Sequence, residues 1–143
     1  MREAVIKQED LQRLLEADFP DTFNPGTGLV ILEIWHGGCR VRQGFHEKSL
    51  RPGGTISGIT MMLLADVSVY VAVLASIGWT PLAVTTNLNI NFLKKPGPAA
   101  LEAECRLLKI GKRLAVGEVS IRSECDEDLV AHATSTYSIP PRG

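Results

Sequence analysis

Ile59-Thr60-Met61-Met62-Leu63-Leu64-Ala65-Asp66-Val67-Ser68-Val69-Tyr70-Val71-Ala72-Val73-Leu74 is the stretch that decides the fold. It is too long for a single strand, and its β-branched residues do not alternate with polar ones, so it reads as a helix. Ser57 or Thr55 can cap its start and Gly78 can close its end, which predicts a helix over about 56–78. Such a helix is apolar on almost every side, and in a soluble protein it must be enclosed by other structure. Asp66 is the one formal charge between Arg51 and Lys94. An unpaired buried carboxylate is costly, so Asp66 must be paired, neutralised or retained for use.

Outward from this helix the chain reads as strands. On the N-terminal side, a short amphipathic helix over about 9–19 carries Leu11, Leu14, Leu15 and Ala17 and is stopped by Pro20. Asn24-Pro25-Gly26-Thr27-Gly28 is a turn cluster. Leu29 to Phe45 follows as two strand-like runs around Gly37-Gly38, and Arg51-Pro52-Gly53-Gly54 is a second break. On the C-terminal side, Val84, Thr86, Leu88, Ile90 and Phe92 alternate with Thr85, Asn87, Asn89 and Asn91, which puts the latter four on one polar face. Leu101, Ala103, Cys105 and Leu107 alternate in the next strand. Ala115, Val119 and Ile121 mark the third, and Leu129, Ala131, Ala133 and Tyr137 the fourth. Strands joined by short turns pair antiparallel. A wholly apolar helix and an antiparallel sheet leave few arrangements: the sheet has to curl around the helix, an α+β architecture of five to six strands.

The totals bound the function. At 143 residues the chain fits one compact domain. A net charge of −1 argues against nucleic acid held by bulk electrostatics. Cys39, Cys105 and Cys125 lack metal-ligand spacing and read as reduced packing residues, so no metal is expected. Residues 1–10 show no apolar signal region. Ile59–Leu74 is shorter than the roughly 18–20 residues that span a bilayer. A soluble cytoplasmic protein with no membrane partner is expected.

Several segments, taken in order, resemble a known family. Gly54-Thr55-Ile56-Ser57-Gly58-Ile59-Thr60-Met61-Met62-Leu63-Leu64-Ala65-Asp66 is similar to the central-helix motif of the phenylacetic-acid-type acyl-CoA thioesterases, which in outline runs G-x-x-H-G-G, four variable residues, then L-A-D. Ala83–Leu93 resembles the strand after that helix, Lys94-Lys95-Pro96 its basic exit, Gly111-Lys112-Arg113 the following hairpin, and Val130–Tyr137 the last strand. The resemblance covers roughly residues 40–138. It implies the hotdog fold, a sheet wrapped around one long central helix, as a single domain over 1–143. Ser57 stands where the family has His, Ile59 replaces its second Gly, and Arg51 aligns with its Asn or Gln. His36-Gly37-Gly38 spells the family tripeptide but lies some thirty residues before Asp66, between strand-like runs.

The resemblance implies hydrolysis of acyl-CoA thioesters to free acid and CoA, with no separate cofactor, since CoA is part of the substrate. Thioester hydrolysis needs a donor for the carbonyl oxyanion and a group that attacks or activates water. Gly58 lies at the helix N-terminus, where a free backbone N–H and the dipole serve the first need. Asp66 is the candidate base or nucleophile, and partial burial would raise its basicity. Ser57 to Asp66 is nine residues, about 13 Å along one helix, so one chain cannot bring both ends to one carbonyl. By resemblance, a homodimer with antiparallel helices brings Gly58 of one chain to Asp66 of the other, and such dimers commonly pair into tetramers.

Further candidates follow from the resemblance and from charge. Thr85 is the candidate to hold the attacking water, with Asn87 beside it on the same strand face. The alternative for both is a polar face at a subunit contact. Arg51 can stabilise an oxyanion or pair with a carboxylate, or remain a solvated loop charge. Ser57 can cap the helix or donate to the carbonyl. Lys94, Lys95, Lys112 and Arg113 are the cations available for the phosphates of CoA. Met61, Met62, Tyr70 and Trp79 are the side chains that can set the length of an acyl tunnel. His46 and His132 read as structural. Two other functions use the same fold: acyl-CoA binding without turnover, and hydration or dehydration of an acyl-CoA.

Overall fold

The computed structural model describes residues 2–141. Two α-helices and six strands follow one another as α1 (Gln8–Asp18), β1 (Leu29–Trp35), β2 (Gly38–Gln43), α2 (Gly58–Ile77), β3 (Val84–Phe92), β4 (Leu101–Ile110), β5 (Leu114–Ser123) and β6 (Leu129–Ser138). The strands form one sheet in the order β1-β2-β4-β5-β6-β3, and every neighbouring pair is antiparallel. This is the hotdog fold, with six strands.

The long helix forms where the apolar run predicts it. Ser57 Oγ accepts from the Thr60 N–H at 3.2 Å and lies 3.0 Å from Thr60 Oγ1, which caps the first turn. Gly78 ends the helix at φ +93°, a conformation that glycine adopts freely, and its N–H reaches Leu74 O. From Leu64 to Ser76 the helix is buried except at Asp66. Its 20 residues exceed the 16-residue run that the sequence suggests, and by length alone they reach what a bilayer span needs. The sheet encloses them instead. Two serines within the buried stretch satisfy their hydroxyls on the helix itself: Ser68 Oγ donates to Leu64 O and Ser76 Oγ to Ala72 O, each at 2.7 Å. Ser76 Oγ also accepts from the Gly37 N–H, which ties the helix to the β1–β2 turn.

The sheet approaches closely because its inner face carries small residues. Ala103, Cys105, Ala115, Ala131 and Ala133 are all buried among Leu101, Val119 and Ile121. Cys39 faces Cys105 across β2 and β4, and its thiol donates to Ser68 O at 3.0 Å. Burial pushes the Cys39 thiol well above the ordinary range, as expected of an inert packing cysteine. Cys125 departs from the expected packing role: it is exposed in the β5–β6 turn.

Helix α1 buries Leu11 and Leu15, one turn apart, and is stitched to the sheet by glutamines. Gln8 Nε2 donates to Ile31 O and Gln12 Oε1 accepts from Ile31 N–H, both at 3.0 Å. Before α2, a loop runs out from Leu50 and returns at Ile56, where the two form an isolated antiparallel bridge. Ser57 N–H donates to Ser49 O, and Ile56 N–H to Pro96 O.

β3 is an edge strand, and its alternation is broken. Thr85 pairs with Tyr137, but the next pair is Asn87 with Thr136, so Thr86 is an extra residue in a β-bulge. Thr85 therefore shares the inner face with Leu88, Ile90 and Phe92, while Asn87, Asn89 and Asn91 face outward. The expectation that Thr85 and Asn87 share one face is corrected by this bulge.

Candidate active site

Asp66 emerges half-buried from α2, and β3 and β6 bring two hydroxyls to it. Thr85 Oγ1 donates to Asp66 Oδ1 at 2.6 Å, and Tyr137 Oη lies 3.0 Å from the same oxygen and 3.1 Å from the Asp66 carbonyl. Burial first, then the Asp66 charge, pushes the Tyr137 hydroxyl far above the ordinary tyrosine range, so it remains a proton donor.

A cavity of about 880 Å³ opens beside this carboxylate. Its walls include Phe19 and Asp18 from the end of α1, Tyr70 from α2, Trp79 and Leu82 from the α2–β3 connection, and Tyr137. Tyr70 stacks on Tyr137 with ring centroids 5.9 Å apart, and meets the Phe19 edge at 6.3 Å. Its hydroxyl donates to Pro81 O at 2.9 Å. Such a space, mainly apolar and aromatic with the Asp66 and Asp18 carboxylates in its lining, suits a largely apolar ligand held beside a carboxylate oxygen.

A second cavity, of about 550 Å³, surrounds Gly58 at the helix N-terminus. Arg51, Met61, Phe92, Lys94 and Lys95 line it. A side chain at Gly58 would meet the Phe92 ring, since a Cβ there lies 3.1 Å from Phe92 Cζ. The first N–H groups of an α-helix have no intrahelical acceptor and carry the positive end of the dipole. Gly58 and Asp66 are eight residues apart, about 12 Å along the helix, so the two cavities are separate within one chain.

The remaining sequence candidates divide. Thr85 reaches Asp66, whereas Asn87 lies on the opposite face of β3, and its carbonyl accepts from Ser135 Oγ. Ser57 is committed to capping. Lys95 and Arg51 border the Gly58 cavity, but Lys94 there is ion-paired with Asp126 and lies 3.5 Å from Asp128, which raises its pKa. Lys112 and Arg113 lie beside Ile77 at the far end of α2, not with Lys94 and Lys95. Met61 borders the Gly58 cavity, Tyr70 and Trp79 the Asp66 cavity. His46 Nδ1 accepts from Lys48 N–H and caps a 3-10 turn, and His132 Nε2 lies 3.5 Å from Glu118, so neither borders the Asp66 cavity. His36 occupies the β1–β2 turn. The alternation of β6 shows Tyr137 only as a core aromatic; its contact with Asp66 spans 71 residues of sequence and has no local signal.

The sequence profile of the thioesterase superfamily matches residues 53–130, a span that runs from the Gly58 loop through the β5–β6 turn. The chain belongs to the thioesterase superfamily. Among solved structures, this superfamily member is similar to a candidate thioesterase of Silicibacter sp. TM1040. They share 44% identity and a TM-score of 0.87, over 97% of this chain and 95% of that one. It is 32% identical over 114 residues to a candidate esterase of Saccharolobus solfataricus, covering 78% of this chain and 73% of that protein. The phenylacetic acid degradation protein of Thermus thermophilus, as a mutant, superposes with a TM-score of 0.73 at 24% identity, over 85% of this chain and 99% of that one. That likeness is one of fold. Superfamily membership supports thioester hydrolysis as the general chemistry.

Proposed function

We propose that this protein hydrolyses acyl-CoA thioesters to free acid and CoA, with Asp66 as general base or nucleophile. One observation carries the reading: the only carboxylate on the central helix stands at the wall of the large aromatic cavity, with one oxygen held by two hydroxyls. A carboxylate so placed can activate water or attack a thioester carbonyl.

The oxyanion donor is then the Gly58 N–H of a second copy. An antiparallel pair of α2 helices sets each Gly58 against the partner's Asp66 and merges the two kinds of cavity into composite sites. The surface supports such pairing. β3 is an edge strand, paired on one side with β6, that exposes apolar Val84 and Phe92 with Leu93 just beyond it, and on α2 Ile59 is 80% exposed, with Met62 exposed beside it. In that arrangement Arg51 and Lys95 meet the CoA portion near Gly58, and the cavity beside Asp66 takes the acyl portion. Lys112 and Arg113, at the opposite end of each helix, approach the partner's entry and can contribute to the same phosphates.

The test is thiol release from a panel of short, medium, long and aryl acyl-CoAs, run on the wild type and Asp66→Asn in parallel. Turnover that disappears in the variant supports hydrolysis at Asp66. A wild type that binds acyl-CoA but releases no thiol from any of them rules the reading out in favour of binding alone.

A further inference from the structure

We infer that Tyr137 is a positioning residue for the reaction at Asp66, acting with Thr85 to hold Oδ1 so that Oδ2 is the oxygen that meets water or the thioester. This rests on the proposed role of Asp66.

The geometry is specific. Among the described residues, both side-chain donors to the carboxylate go to Oδ1, from Thr85 at 2.6 Å and from Tyr137 at 3.0 Å. Two donors on one oxygen fix the plane of the carboxylate and leave the other oxygen to the cavity. The donors are themselves locked. Thr85 and Tyr137 are register partners across β3 and β6, and Tyr137 also pairs with Ala115 of β5. Its ring is packed face-on against Tyr70 at an interplanar angle of 22°. The bulge at Thr86 turns Thr85 onto the same face, so strand pairing itself builds the clamp.

The phenol is suited to holding rather than to exchanging protons. Burial and the Asp66 charge both keep it protonated. It also lies 3.1 Å from the Asp66 backbone carbonyl, so its position is referred to the helix as well as to the side chain. A reactive group displaced by about 1 Å can lose about 100-fold in rate, so orientation of this kind is expressed in turnover rather than in substrate binding.

The experiment measures kcat and KM for an acyl-CoA with wild type, Asp66→Asn, Tyr137→Phe, Thr85→Ala and the double variant Tyr137→Phe/Thr85→Ala. Tyr137→Phe keeps the ring and removes only the donor. It is expected to lower kcat about 10- to 100-fold while KM changes less than about twofold. The double variant should fall short of the product of the single losses, because both donors serve one oxygen. An active wild type and an inactive Asp66→Asn, with kcat unchanged in Tyr137→Phe or KM raised in its place, overturns the inference and leaves the role of Asp66 standing. Inactivity of the wild type removes both. The contact is also read without the Phe variant. The chain has two tyrosines, so in protein labelled with ¹³C at the tyrosine ζ carbon, Asp66→Ala should shift the Tyr137 resonance and leave that of Tyr70 nearly in place. An unmoved pair of resonances overturns the contact itself.

Discussion

Thr85 and Asp66 are joined by a 2.6 Å hydrogen bond that exists because Thr86 is an extra residue in β3. Without the bulge, Thr85 would face outward with Asn87. The bulged edge strand therefore delivers a hydroxyl to a carboxylate on the central helix, and the first prediction concerns that carboxylate.

Asp66→Asn keeps an oxygen that can accept from both Thr85 and Tyr137. The fold and oligomeric state are therefore expected to be unchanged, with a thermal midpoint at or above that of the wild type. Thiol release should fall at least about 100-fold, the usual worth of a base or nucleophile. Steady-state assays with calorimetry check both parts, and retained turnover would remove Asp66 from the mechanism.

Gly58→Val puts a side chain where a Cβ is already 3.1 Å from the Phe92 ring. Phe92 is half-exposed and can swing away, so α2 should persist and circular dichroism should be unchanged. Turnover is expected to drop at least about 10-fold, because the branched side chain fills the approach to the N–H.

A site shared between two copies, as proposed, makes activity depend on association. Ile59→Lys/Met62→Lys replaces two exposed apolar residues on the open face of α2 and leaves Asp66, Thr85 and Gly58 unaltered. Sedimentation should show monomers, and turnover should be lost in proportion to the monomer fraction. Active monomers would exclude a site shared between copies.

The cations near Gly58 differ in freedom. Lys94 is engaged with Asp126, whereas Arg51 and Lys95 line the cavity. Arg51→Ala and Lys95→Ala are each expected to raise KM for acyl-CoA several-fold, with a smaller effect on thioesters of a short thiol that lacks phosphates. Equal effects on both substrates would place these residues away from CoA.

The two tyrosines set an alkaline limit on stability. Burial raises both hydroxyl pKa values in the folded state, while the unfolded chain titrates near the ordinary value of about 10. The folded state thus holds protons that the unfolded state releases. Stability from this source is complete below about pH 10 and declines above it, and Tyr137→Phe should flatten the decline. Denaturant midpoints between pH 8 and 11 measure the slope.

The elements were legible where one physical signal dominates. A sixteen-residue, mostly apolar run between a capping Ser57 and a closing Gly78 can only be an enclosed helix, and clean alternation marks β4 and β6. The bulge was hidden because Thr85, Thr86 and Asn87 are all polar, and an extra residue among them leaves no gap in the pattern. Tyr137 was hidden for another reason. A tyrosine at an inward position looks the same whether its hydroxyl is idle or bonded to a carboxylate far away in sequence. The grouping of Lys94, Lys95, Lys112 and Arg113 followed charge alone, and the fold separates the two pairs to opposite ends of α2.

The loop before the helix has a different significance. Its base is closed by the Leu50–Ile56 bridge and by the bonds of Ile56 and Ser57 to Pro96 and Ser49. Its tip contains Gly53 and Gly54 at φ +102° and +79°, with open space around each. The start of α2 is thus fixed by backbone bonds rather than by the side chains at the tip. Gly53 and Gly54 hold the turn, so a descendant sequence can rewrite the rim beside them, Arg51 included, while the central helix keeps its register.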